Sequence, residues 1–171
     1  MELREGDIEL RSWTMDDVPA IVLACNDAEI QHWIPVIPRP YTEDDARAFV
    51  QGEVPGIGTH QFAITAGGSL VGSIGMQVND SRTGHIGYWC APEARRRGVT
   101  TRALRLLCKH SLEELKLDRL ELITDPDNHA SQRVAEKVGF QREGLLRSHV
   151  PHPDGRRRDS VMFSLLPGEL D

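Results

Sequence analysis

Residues 92–104 read PEARRRGVTTRAL, and the fold turns on how that stretch is read. The residues before it, TGHIGYWCA at 83–91, alternate as a strand does, and those from Val99 onward have the composition of a helix. Proline, three arginines and a glycine fill the junction. At a strand-to-helix junction the first helical amides lack an intrahelical partner, and the helix dipole adds partial positive charge there. Arg95, Arg96 and Arg97, with the amides of Gly98, Val99 and Thr100, could surround a phosphate or pyrophosphate, and Gly98 lets the backbone approach closely. A solvated charge run is the other reading of the same residues. The spacing is neither that of a P-loop nor of a Rossmann fingerprint, which argues against a nucleoside triphosphate or a dinucleotide.

On the C-terminal side, Ala103, Leu104, Leu107, Ser111, Leu112 and Leu115 recur at helical steps, so residues 100–115 form a helix with one buried stripe. RLELIT (119–124) returns to strand alternation. NHASQRVAEKVGF (128–140) runs from an asparagine cap through Ala130, Val134, Ala135 and Val138 to Gly139 just past the helix end. Strand, helix, strand calls for parallel pairing with a right-handed crossover. The end of the chain reads as two strands about an Asp154-Gly155 turn.

On the N-terminal side, IELRSW (8–13) is a strand and TMDDVPAIVLACND (14–27) a capped helix. HWIPVIPRPY carries three prolines and reads as loop, while TEDDARAFVQG (42–52) has an N-cap threonine, acidic first-turn residues and a closing glycine. HQFAITA and SLVGSIGMQVN are strands joined across Gly67-Gly68. The sum is an α+β domain spanning residues 1–171, with a mixed sheet of about six or seven strands and about four helices.

Composition narrows the function. The 171 residues suffice for one core, and no apolar run approaches the roughly 20 residues that cross a bilayer. MELREGDIEL is acidic where a secretory leader is basic and then apolar, so a cytoplasmic protein with no membrane partner is expected. Cys25, Cys90 and Cys108 lack CxxC spacing and fit reduced structural thiols. The net charge of −6 argues against a nucleic-acid partner. Residues 1–60 hold 12 acids and 4 bases, whereas residues 61–171 hold 14 acids and 16 bases, so a local anion site coexists with an acidic half suited to a cation. His129, His149 and His152 have no standard ligand spacing, and no metal is expected.

Arg95-x-x-Gly98-x-Thr100 resembles the Q/R-x-x-G-x-G/A motif of the GNAT N-acetyltransferases. HWIPVIPRPYTEDDARAFV, LVGSIGM, GHIGYWCAPEARRRG, NHASQRVAEKVGFQREG and DGRRRDSVMFSLL together look like its RimJ/RimL branch, in the right order over about residues 8 to 167. The resemblance implies acetyl-CoA as co-substrate, with its pyrophosphate on the loop of residues 95–100. It also implies mostly antiparallel strands with a central parallel pair splayed apart around the pantetheine, where Tyr88, Trp89 and Cys90 face the arm. Thr100 stands where the family prefers Gly or Ala. Homodimers are common in the branch.

Acetyl transfer to an amine needs the amine neutral, the carbonyl polarised and the thiolate protonated. Many relatives carry Glu before Ile-Gly-Tyr-Trp, where this chain has His85, whose imidazole (ordinary pKa about 6.5) suits a base that also touches the acceptor. A histidine without catalytic duty on a strand is the alternative. By resemblance Asn128 binds the arm and Ser131 protonates the thiolate or orients a water; both also suit a plain helix start. Tyr88 is read as strand material, and Cys90 as core, with no base spaced to activate it. Trp33, Ile34 and Tyr41 either line an acceptor cleft or pin their loop to the core. The expected activity is acetylation of a protein or peptide N-terminal amine. A small-molecule amine acetyltransferase and a non-catalytic acyl-CoA-binding module are the alternatives.

Overall fold

The computed structural model describes residues 2–58 and 60–170. In chain order the elements are β1 (Leu3–Glu5), β2 (Ile8–Arg11), α1 (Val18–Cys25), α2 (Ala28–Trp33), α3 (Glu43–Gln51), β3 (His60–Ala66), β4 (Ser69–Val78) and β5 (Thr83–Cys90). There follow α4 (Val99–Glu113), β6 (Arg119–Thr124), α5 (His129–Val138), β7 (Gln141–Pro151) and β8 (Arg157–Leu165). The strands form one eight-stranded sheet in the order β1-β2-β3-β4-β5-β6-β8-β7. Among the described residues β5 and β6 are the parallel pair, and the other neighbours are antiparallel.

The mixed α+β architecture agrees with the sequence reading, but the counts do not. The eighth strand is β1, three residues with two charges that antiparallel pairing to β2 alone makes extended. The fifth α-helix is α2, which Asp27 starts by accepting from the Ile30 amide at 3.0 Å. It takes His32 and Trp33 out of the stretch read as loop. The prolines then act one turn later, from Pro35 onward.

The two faces of the sheet differ. On one, α4 and α5 cover the main core, where Leu104, Leu107, Leu120, Phe163 and Leu165 have no exposed surface. Burying each such side chain contributes about 1.5–3 kcal/mol. On the other, α1 and α3 close a smaller cluster of Val18, Ile21, Cys25, Tyr41 and Ala46, against which Trp89 packs. The residues of β5 alternate between the faces: Ile86, Tyr88 and Cys90 belong to the first, His85 and Trp89 to the second.

Pairing between β5 and β6 runs from Thr83–Arg119 to Ile86–Leu122 and stops there, although β5 continues to Cys90 and β6 to Thr124. The splayed pair is therefore present, and it opens toward α5 and the loop before α4.

Candidate active site

A cleft of about 1180 Å³ occupies the opening between β5 and β6 and extends beneath the loops that follow α2 and α3. On its α4/α5 side the loop before α4 is shaped for an anion. Arg96 (φ 61°) and Gly98 (φ 72°) both take the left-handed conformation. Gly98 is required there by that conformation, since an added Cβ would meet nothing within 4 Å. The first backbone bond closing α4 runs from the Arg102 amide to Gly98 O at 3.1 Å, so the amides of Val99, Thr100 and Thr101 have no intrahelical acceptor.

The three arginines do not act together. Arg95 turns away from the loop to α2, pairing with Asp27 at 2.5 Å and Glu29 at 2.7 Å. Burial works against the Asp27 charge, but the hydrogen bond and charge of Arg95 together with the Ile30 and Glu29 amides outweigh it, and the carboxyl lies below its ordinary pKa. The Arg95 guanidinium, expected at the anion, is here shared by two carboxylates while still bordering the cleft. Arg96 lines the cleft and makes no ion pair among the described residues. Arg97 is exposed, and Val99 is buried in the core, leaving only its amide for the loop. Arg102 is bound to the β1–β2 turn through Asp7 at 2.6 Å.

Thr100 lines the cleft beside Cys90. Burial pushes the Cys90 thiol up, with a hydrogen bond from Thr100 and the charge of Arg95 pulling the other way. The net rise leaves Cys90 a thiol, in line with its reading as a packing residue. Tyr88 and Ser131, 43 residues apart in sequence, meet across the gap with their hydroxyls 2.8 Å apart. Burial raises the Tyr88 phenol well above its ordinary pKa, and the Ser131 bond only partly offsets this. Asn128 caps α5, its Oδ1 accepting from the Ser131 amide at 3.1 Å, and both residues border the cleft.

The opposite face holds His85. Its Nδ1 lies 2.9 Å from Glu121 Oε2, and the parallel register sets the two residues side by side. Glu121 went unnoticed in the sequence, although alternation in RLELIT puts it on the face opposite the buried leucines. Its other oxygen accepts from Arg119 Nε at 2.6 Å. Arg119 in turn grips Glu143 with both terminal nitrogens, at 2.8 and 2.7 Å, and Ser164 donates to Glu143 at 2.6 Å. A polar chain thus crosses four strands and ends on His85.

Trp33 and Ile34 border the cleft at the end of α2. Tyr41 touches the cleft while its backbone is clamped by Asn26 at 2.8 and 3.0 Å. Trp89 lines the cleft from the side packed on Trp13, 6.4 Å away between ring centroids. The C-terminal hairpin adds Arg158, which donates to His32 O at 2.7 Å, contacts His152 Nε2 at 2.7 Å and lies 3.6 Å from Asp125. His149 is spent on Ser160. Among the described residues no cluster of His, Cys, Asp and Glu is arranged to hold a metal, and no helix is long and apolar enough to cross a membrane.

Comparison with known proteins agrees with this geometry. Residues 7–141 match the family described as "Acetyltransferase (GNAT) domain". A GNAT-family acetyltransferase from Bacillus anthracis, 26% identical, superposes with a TM-score of 0.86 over 97% of this chain and 98% of its own. RimJ of Mycobacterium smegmatis, solved in complex with CoA-disulfide, is 26% identical with a TM-score of 0.83 over 99% of this chain and 88% of its own. YdaF of Bacillus subtilis is 37% identical over 106 residues, 61% of this chain and 57% of its own length. Two further Bacillus subtilis relatives are matched over 55% and 38% of theirs, so the chain spans about half the length of the curated relatives it matches. The fold and the splayed strands are those of a GNAT acyltransferase. The chain belongs to that family and is closely related to its RimJ/RimL-type ribosomal-protein acetyltransferases.

Proposed function

We propose that the protein is an acetyl-CoA-dependent N-acetyltransferase that passes the acetyl group directly to a primary amine, most naturally the N-terminal α-amine of a protein or peptide. The observation that carries this reading is the gap between β5 and β6, with proton donors on one face and a histidine–carboxylate pair on the other. Residues 1–171 act as one domain in it, because the single sheet supplies both faces. The related branch is named for ribosomal-protein acetylation, and the Mycobacterium smegmatis relative binds CoA.

The residues present fit acetyl-CoA. The free amides of Val99, Thr100 and Thr101, the left-handed turn at Arg96 and Gly98 and the unpaired Arg96 guanidinium suit a pyrophosphate. Asn128, Thr100 and the backbone of residues 88–90 border the space beyond the last β5–β6 pair. In the reaction the amine nitrogen attacks the thioester carbonyl, a C–N bond forms and the C–S bond breaks. The proton leaving the amine goes to His85: with Nδ1–H directed at Glu121, Nε2 is the free acceptor. The thiolate takes a proton from Ser131, whose hydroxyl is resupplied by Tyr88 at 2.8 Å. The phenol enters the reaction protonated, and once the thiol has left, the Tyr88–Ser131 pair regains its proton from water entering the cleft.

The test is incubation with acetyl-CoA and a synthetic peptide, following free thiol and locating the acetyl group by mass spectrometry. Thiol release that depends on the peptide, with one acetyl on the α-amine, is the expected result. Release that ignores the amine, or acetylation confined to lysine side chains, contradicts it.

A further inference from the structure

The cleft's chemistry specifies more than an amine. Beyond His85, toward the loops after α2 and α3, its wall is Trp33, Ile34, Val36, Ile37, Val54 and Ile57. Two of these stand unusually open for large apolar side chains: Val36 is 80% exposed and Ile57 40%. Exposed apolar groups converging on a site mark what the ligand covers.

Five carboxylates also line the cleft, and each is already engaged. Glu29 pairs with Arg95 at 2.7 Å, and Asp45 closes the cap of α3 with Thr42 at 2.7 and 2.8 Å. Glu121 is shared by His85 and Arg119, and Asp125 is divided between the Asp127 amide at 2.9 Å and Arg158 at 3.6 Å. Asp159 accepts from the Ser148 amide at 2.6 Å. Asp45 and Asp159 accept only from neutral donors and keep their negative charge. The charges in the cleft therefore set no limit on the number of amines, and the apolar wall is what distinguishes one acceptor from another.

We infer that the acceptor is an amine that stands next to a bulky apolar group: for a peptide, an N-terminus beginning with a large aliphatic or aromatic residue. This rests on the transfer reading above and narrows it. The amine would sit at His85 while the first side chain lies against Val36 and Ile57, so the first residue and not the remote sequence sets specificity. A hydrophobic pocket separates side chains by about 10–200-fold for each missing methylene or so, which bounds the discrimination expected.

The experiment compares kcat/KM for peptides that differ only in the first residue (Leu, Phe, Ala, Ser, Asp), with spermidine alongside, in the wild-type protein and in Val36→Ser/Ile57→Ser. Both positions are exposed, so the double variant retains its core. The expected result is Leu and Phe at least about tenfold above Ala, Ser and spermidine, and the double variant losing the advantage of Leu over Ala. Transfer led by Ser, Ala or spermidine, or a double variant that slows every peptide alike, overturns this inference and leaves the transferase reading intact. Acetyl-CoA binding without transfer to any of these amines overturns both.

Discussion

On one face of β5 the groups offered to the cleft come largely from two short stretches, residues 96–101 and 128–131, each a loop entering a helix. On the other face they come from β5, β6, the loops after α2 and α3 and the C-terminal hairpin, residues up to 126 apart in sequence. The first face is built on local backbone geometry: left-handed turns, free amides and a capped helix. The second works through register, because His85 meets Glu121 only when β5 and β6 pair in parallel with the observed alignment. A loop grips a phosphate wherever it is placed, whereas an acid–base pair shared between strands exists only in the finished sheet.

That contrast makes separable predictions. The largest effect belongs to His85→Ala, which should lower kcat by about 10²–10⁴-fold, the usual contribution of a general base, with acetyl-CoA affinity unchanged. Steady-state kinetics beside calorimetric titration checks both halves, and a matching loss of acetyl-CoA affinity would erase the division between the faces. Next is Glu121→Gln, which removes a charge-assisted hydrogen bond of about 1.5–3 kcal/mol and so costs roughly tenfold or more in kcat. If Glu121→Gln is silent while His85→Ala is severe, His85 acts without its carboxylate.

Gly98→Val tests the other face. A β-branched residue at φ 72° is strained by about 1–2 kcal/mol, so acetyl-CoA should bind roughly tenfold more weakly. The rate at saturating acetyl-CoA should hold. The smallest effect concerns the far end of the polar chain. Its Arg119 partner, followed by Ser164, holds the Glu143 carboxyl at about 2, below its ordinary 4.5. A pKa depressed by folding gives a contribution that is complete above about 4.5 and is lost as pH falls toward 2. Glu143→Gln should therefore be slightly less stable than wild type near neutrality and converge with it as pH falls toward 2, a flattened acid limb that melting curves from pH 7 down to that value would show.

The same contrast explains what could be read from the chain. Seven of eight strands, four of five helices and the parallel pair were legible, because alternation, caps and turn glycines are local: Gly67, Gly68, Gly139 and Gly155 all have positive φ. β1 escaped because three residues with two charges carry no pattern, and α2 because a six-residue helix ending at Trp33 runs straight into prolines. In the site, the loop and the Asn128–Ser131 motif stood out as sequence. Glu121 did not, since its importance lies in a strand register, and neither did the capture of Arg95 by Asp27 and Glu29 across 68 residues. Tyr88 was read as strand filling because nothing local reveals that its hydroxyl reaches Ser131.

The most direct measurement is calorimetric titration of acetyl-CoA into the wild-type, Gly98→Val and His85→Ala proteins, with turnover of the same samples. The account predicts that Gly98→Val loses affinity and His85→Ala keeps it while losing turnover. Affinity lost by His85→Ala and kept by Gly98→Val would contradict it.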